Sequence, residues 1–122
     1  MRRFVVTAAA LALALAGGTA FAHPKLVSSD PAANASVASP AKITLKFSEK
    51  LVPAFSKADI TMAAMPGMAA MKMASTSAVG PDGMTLVITP KSALPRGQYS
   101  VEWNVVSSDT HKIAGRQTFT VR

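Results

Sequence analysis

Two stretches of strict apolar/polar alternation do most to constrain how this chain folds. Ile43, Leu45 and Phe47 alternate with Lys42, Thr44 and Lys46, and Tyr99, Val101, Trp103 and Val105 alternate with Ser100, Glu102 and Asn104. Successive side chains of a strand point to opposite faces, so period two marks a strand buried on one side only. Gln117, Phe119 and Val121 share a parity near the C-terminus, and Leu86 and Ile88 share one within Met84 to Thr89. Shorter candidates are Lys25 to Ser28, Ala58 to Met62 and Ala74 to Val79. Turn residues separate them at Asp30-Pro31, Ser39-Pro40, Pro66-Gly67, Gly80-Pro81-Asp82-Gly83 and Pro95-Arg96-Gly97. About seven short strands in one domain predict an all-β fold, a small Greek-key β-barrel or sandwich. Trp103 is expected between the sheets, and Met84 in the core.

The N-terminus reads differently. Arg2-Arg3, an apolar run from Phe4 to Ala16, the helix-breaking Gly17-Gly18-Thr19 and the small residues of Ala20-Phe21-Ala22 form a secretory leader. The apolar run falls short of the ~20 residues that span a bilayer. Cleavage after Ala22 divides the chain into a signal peptide, 1–22, and one exported domain, 23–122. Localisation in the periplasm is the expectation.

Cysteine is absent, so this domain is held by its core rather than by disulfides. The absence also excludes cysteine-based zinc sites and the thiolate-ligated blue-copper centre. The net charge is +7, or +5 once Arg2 and Arg3 leave with the leader. The lysines are scattered and aromatics are few, which argues against nucleic-acid binding.

Cleavage makes His23 the mature N-terminus, where its amine and ring Nδ1 can chelate one metal ion. Pro24 follows and has no backbone N–H, so the remaining donors must come from elsewhere in the fold. The other histidine lies in Asp109-Thr110-His111. On an extended segment Asp109 and His111 project to one side. Nitrogen donors with a carboxylate favour Cu(II).

Methionine is concentrated between these points. Met62, Met65, Met68, Met71 and Met73 fall in twelve residues. Pro66-Gly67 argues against a continuous helix, so the segment reads as a loop. Thioethers are soft ligands that select Cu(I); the alternatives are core packing and an adaptable partner surface.

Several of these motifs, in order, resemble the CopC family of periplasmic copper-resistance proteins. They are His23-Pro-Lys-Leu-Val-Ser-Ser, Phe47-Ser-Glu49, Met65-Pro-Gly-Met68, and Trp103 followed by Val105-Val-Ser-Ser-Asp-Thr-His111. The resemblance implies a cupredoxin-like or immunoglobulin-like β-barrel without enzyme activity that binds both copper oxidation states. It implies Cu(II) ligands His23, Asp109 and His111, with Glu49 beside the metal rather than on it. It implies a Cu(I) site from Met62, Met65, Met68 and Met73. The family carries a histidine where Ala70 stands here, and Met71 is an extra thioether next to that gap. The expected role is carriage or sequestration of copper, exchanged with a membrane copper transporter or a periplasmic multicopper oxidase. Two alternatives remain open at this point: a copper monooxygenase with an N-terminal histidine brace, and a metal-free immunoglobulin-like docking module.

Overall fold

The computed structural model describes residues 25–122. The expected signal peptide, 1–22, and with it His23 and Pro24, lies outside the described residues. Nine strands follow in order: β1 (Leu26–Asp30), β2 (Ser36–Val37), β3 (Ile43–Phe47), β4 (Lys57–Met62), β5 (Met71–Met73), β6 (Ser75–Val79), β7 (Thr85–Pro90), β8 (Gly97–Val106) and β9 (Lys112–Val121). A 3-10 turn, Pro53–Phe55, precedes β4. Among the described residues no helix is long and apolar enough to cross a membrane.

The strands form two sheets, one ordered β1-β3-β7-β6 and the other β2-β9-β8-β4-β5. All neighbouring pairs are antiparallel except β2 with β9. The expected β-sandwich is therefore present. The strands beyond the expected seven are β2, with two residues, and β5, with three, both too short to show a period.

Alternation turns directly into layers. Ile43, Leu45 and Phe47 of β3 face Tyr99, Val101, Trp103 and Val105 of β8, and Ile60, Leu86, Ile88 and Phe119 are among the other residues of the buried core. Phe47 meets Trp103 edge to face at 6.2 Å, and Tyr99 stacks on Phe119 at 5.5 Å. Aromatic pairs in these geometries add to the area they bury. Trp103 is a core residue, as its parity predicts. The buried hydroxyl of Tyr99 donates to Pro95 O at 2.5 Å, the tyrosine-corner device of Greek-key sandwiches. Burial raises the Tyr99 pKa above its usual value.

Both edges are clasped by side chains. Ser77 on β6 donates to Ala58 O at 2.9 Å and accepts from Ala58 N–H at 3.1 Å, joining the two sheets. On the opposite side Gln117 of β9 donates to Ser29 Oγ at 2.7 Å. The methionine-rich segment is not wholly a loop, since Met71–Met73 pairs with β4 as an edge strand. Met84 corrects another expectation. It precedes β7, is half-buried and lies outside the core, because its N–H is drawn to Asp82 Oδ1 at 2.9 Å in the turn.

Candidate metal sites at the two ends of the sandwich

The long strand β8 sets the geometry of every candidate ligand in the described residues. Its start, Gly97–Tyr99, lies beside the methionine hairpin, because Tyr99 pairs with Met62. Its end, Val106, leads into Ser107 and the Asp109–His111 turn before β9 begins at Lys112. From Tyr99 to Ser107 the strand advances roughly 26 Å, at ~3.3 Å per residue. Nitrogen and oxygen donors therefore sit at one end of the sandwich and thioethers at the other.

At the first end, Ser107 forms a bridge with Leu51 and is fully buried. The chain then reverses tightly. Ser107 N–H donates to His111 O at 2.9 Å and Thr110 N–H donates to Ser107 O at 2.8 Å, with Thr110 at φ +72°. A β-branched residue in the left-handed region is a genuine strain, a feature that concentrates at functional sites. The segment is thus a turn rather than the extended stretch expected, yet it still brings the predicted pair together. His111 Nδ1 lies 3.1 Å from Asp109 Oδ2. That nitrogen is buried while the His111 side chain as a whole is 41% exposed, so its exposure lies on the rest of the ring.

The Ser107 hydroxyl donates to the other oxygen of the same carboxylate, Asp109 Oδ1. The Ser107 bond and then the His111 contact hold the Asp109 pKa below the usual carboxylate value. Ser107 was not among the candidates read from sequence. A serine in Ser107-Ser108 looks like ordinary loop polarity, and only the bridge to Leu51 shows that its hydroxyl is interior.

Glu49 belongs to the same end. Its segment, Ser48 to Val52, is stitched on both sides. Ser48 N–H donates to Lys25 O at 3.0 Å, and Lys25 N–H donates to Ser48 Oγ at 3.1 Å. On the other side Ser108 N–H donates to Lys50 O and Val52 N–H to Val106 O, at 2.9 and 2.8 Å. Glu49 is half-buried, in a segment bonded to Lys25 through Ser48 and to Ser108 through Lys50. Among the described residues, no three His, Cys, Asp or Glu side chains converge as a metal-binding group. Asp109 and His111 form a pair, and the third predicted donor, His23, lies outside the described residues.

At the other end, β4 and β5 make a hairpin whose tip is a second, tighter turn. Met65 N–H donates to Met68 O at 2.9 Å, and Met68 N–H to Met65 O at 2.8 Å. Pro66 and Gly67 occupy the corner, and Gly67 at φ +80° takes the position that glycine favours. The thioethers divide by environment. Met65, Met68 and Met71 are among the exposed large hydrophobics, whereas Met62 is buried and Met73 packs partly against the core. Met62 pairs with Met71 and Ile60 with Met73, and partners directly across a pair share a face of the sheet. Met62, Met71 and Met73 therefore share one face of the sheet, on which Met71 remains exposed at the edge, and Met65 and Met68 lie in the turn between the two strands. Ala70 is exposed in this loop.

Comparison with known proteins places these features in one family. The CopC domain model matches residues 26–122. Copper resistance protein C of Xanthomonas campestris pv. juglandis is 46% identical over 123 residues, covering 99% of this chain and 97% of that protein. Copper resistance protein C of Pseudomonas syringae pv. tomato is 54% identical over 110 residues, covering 88% and 87%. The crystal structure of PcoC, a methionine-rich copper resistance protein from Escherichia coli, superposes with a TM-score of 0.76. It shares 50% identity over 83% of this chain and all of that one. CopC from Methylosinus trichosporium OB3b superposes with a TM-score of 0.71 at 31% identity, covering 81% of this chain and 93% of that one. By family model, relatives and fold together, the chain belongs to the CopC family.

Proposed function

We propose that this protein is an exported copper carrier for copper resistance or homeostasis, with a Cu(II) site and a Cu(I) site at opposite ends of one sandwich. The observation that carries the proposal is the segregation of donor chemistry along β8. The imidazole–carboxylate pair His111–Asp109 lies past its end, and the five methionines gather at its start. Hard and borderline donors suit Cu(II), and uncharged thioethers suit Cu(I). The relatives named as copper resistance proteins support the copper role.

At the Cu(II) end, His111 presents a ring nitrogen and Asp109 a carboxylate. His23 supplies amine and ring once the leader is removed after Ala22. The bonds from Ser48 to Lys25 support this grouping, because they hold the chain two residues beyond His23 to the strand-connecting segment that Ser108 also touches. Glu49 lies in that segment and tunes the site without ligating. At the Cu(I) end, Met65, Met68 and Met71 are the accessible thioethers, and Met62 and Met73 are the more buried members of the set. The partners are a membrane copper transporter or a periplasmic multicopper oxidase. The role is carriage, not catalysis.

The test is a Cu(II) titration of two forms, one beginning at His23 and one with an added residue before it. The form beginning at His23 should bind more tightly by orders of magnitude. Equal affinity would sink the N-terminal chelate. Copper-dependent peroxide production or polysaccharide cleavage by the loaded protein would favour a monooxygenase instead.

A further inference from the structure

Ser107 makes contacts out of proportion to a loop serine. It is fully buried, its backbone bridges Leu51, and its hydroxyl sits between the two halves of the chelating turn. That hydroxyl accepts from His111 N–H at 3.3 Å and donates to Asp109 Oδ1. A hydroxyl has one proton to give. The alternative acceptor, His111 O at 3.4 Å, is neutral and distant, whereas a bond to a carboxylate is charge-assisted and stronger.

We propose that Ser107 is the positioning residue of the Cu(II) end, fixing Asp109 through Oδ1 so that Oδ2 remains directed at His111. This rests on the assignment of Asp109 and His111 as Cu(II) donors. The reason is preorganisation. An aspartate on a surface turn samples several rotamers, and metal binding must select one. Ser107 is itself held by the Leu51 bridge and by the bond from its N–H to His111 O. It therefore passes the rigidity of the sheets to a carboxylate that is half exposed. Partners of this kind beyond the ligands typically change metal affinity by about 10–100-fold.

The test compares Ser107→Ala and Ser107→Thr with the unmodified protein, each beginning at His23. S107A should bind Cu(II) at least about tenfold more weakly. The electron paramagnetic resonance spectrum of its bound Cu(II) should differ from that of the unmodified protein, and S107T should restore both. Cu(I) affinity at the methionine end serves as an internal control of folding and should not change. Wild-type Cu(II) affinity and spectrum in S107A would overturn the proposal. A measurement on the unmodified, metal-free protein keeps it falsifiable if S107A does not fold. The Ser107 hydroxyl proton should exchange slowly and resonate downfield, and a rapidly exchanging hydroxyl would refute the clamp. If the unmodified protein fails to bind Cu(II) while that proton is protected, the assignment of the metal site has failed and the clamp has not.

Discussion

Trp103 covers Gly115, its cross-strand partner: a Cβ on Gly115 would lie 2.4 Å from the indole Cζ2 and 2.7 Å from Nε1. The indole also meets Phe47, so it cannot retreat without disturbing the opposite sheet. Gly115→Ala should destabilise the fold by about 1–3 kcal/mol, the usual cost of overpacking a core. The urea midpoint should fall, and the emission of the single tryptophan should change in the native baseline. An unchanged midpoint would show that the sheets yield more easily than close packing allows.

The five methionines should separate into two classes. Met62 is buried against Gly97, whose added Cβ would meet Met62 Cε at 2.8 Å. Met62→Ala should cost about 2–5 kcal/mol of stability. Met65→Ala and Met68→Ala lie at exposed positions on the hairpin rim and should leave stability within about 0.5 kcal/mol. These two should instead lower Cu(I) affinity, measured by competition with a chromogenic chelator. Loss of stability without loss of Cu(I) binding in all three would assign the cluster to packing.

Ala70 occupies the loop position where the resemblance to the family calls for a histidine. Ala70→His should add a nitrogen neighbour to the sulfur shell in X-ray absorption of the Cu(I) form. An unchanged all-sulfur shell would show that the hairpin does not direct position 70 at the metal.

Asp82 gives a pH signature independent of copper. Its carboxylate accepts from Met84 N–H, Thr85 N–H and the Thr85 hydroxyl at 2.9, 3.0 and 2.8 Å. The bond from Met84 and then that from the Thr85 side chain lower its pKa from the usual 3.8. A carboxylate with a depressed folded-state pKa contributes stability that is present above the unfolded value and lost as pH falls through the folded one. Asp82→Asn should therefore be slightly less stable than the parent between pH 5 and 7, and the difference should close on acidification below the usual carboxylate pKa. A difference that persists in strong acid would mean that side-chain shape, not charge, holds the turn.

Much of the sandwich was legible in the sequence because alternation is a one-dimensional signal. Ile43 to Phe47 and Tyr99 to Val105 carry it unbroken, and both became core strands. The first half of β9 was not legible. Ala114 and Gly115 weaken the pattern there, and the glycine is present because an indole from β8 fills its place. Met84 misled for the opposite reason: a large apolar residue looked like core until the Asp82 turn placed it before the strand.

The candidate ligands followed the same division. Residue type alone was enough to single out His111, Asp109 and the methionine cluster, because imidazole, carboxylate and thioether have distinct affinities for copper. Which of them share an end of the molecule, which thioethers are buried, and that Ser107 holds Asp109 were decided only by the tertiary structure. The physical reason is that donor chemistry belongs to a side chain, whereas burial and direction belong to its neighbours across the sheets. Leu51 places Ser107, Tyr99 places Met62, and no local spacing encodes either contact.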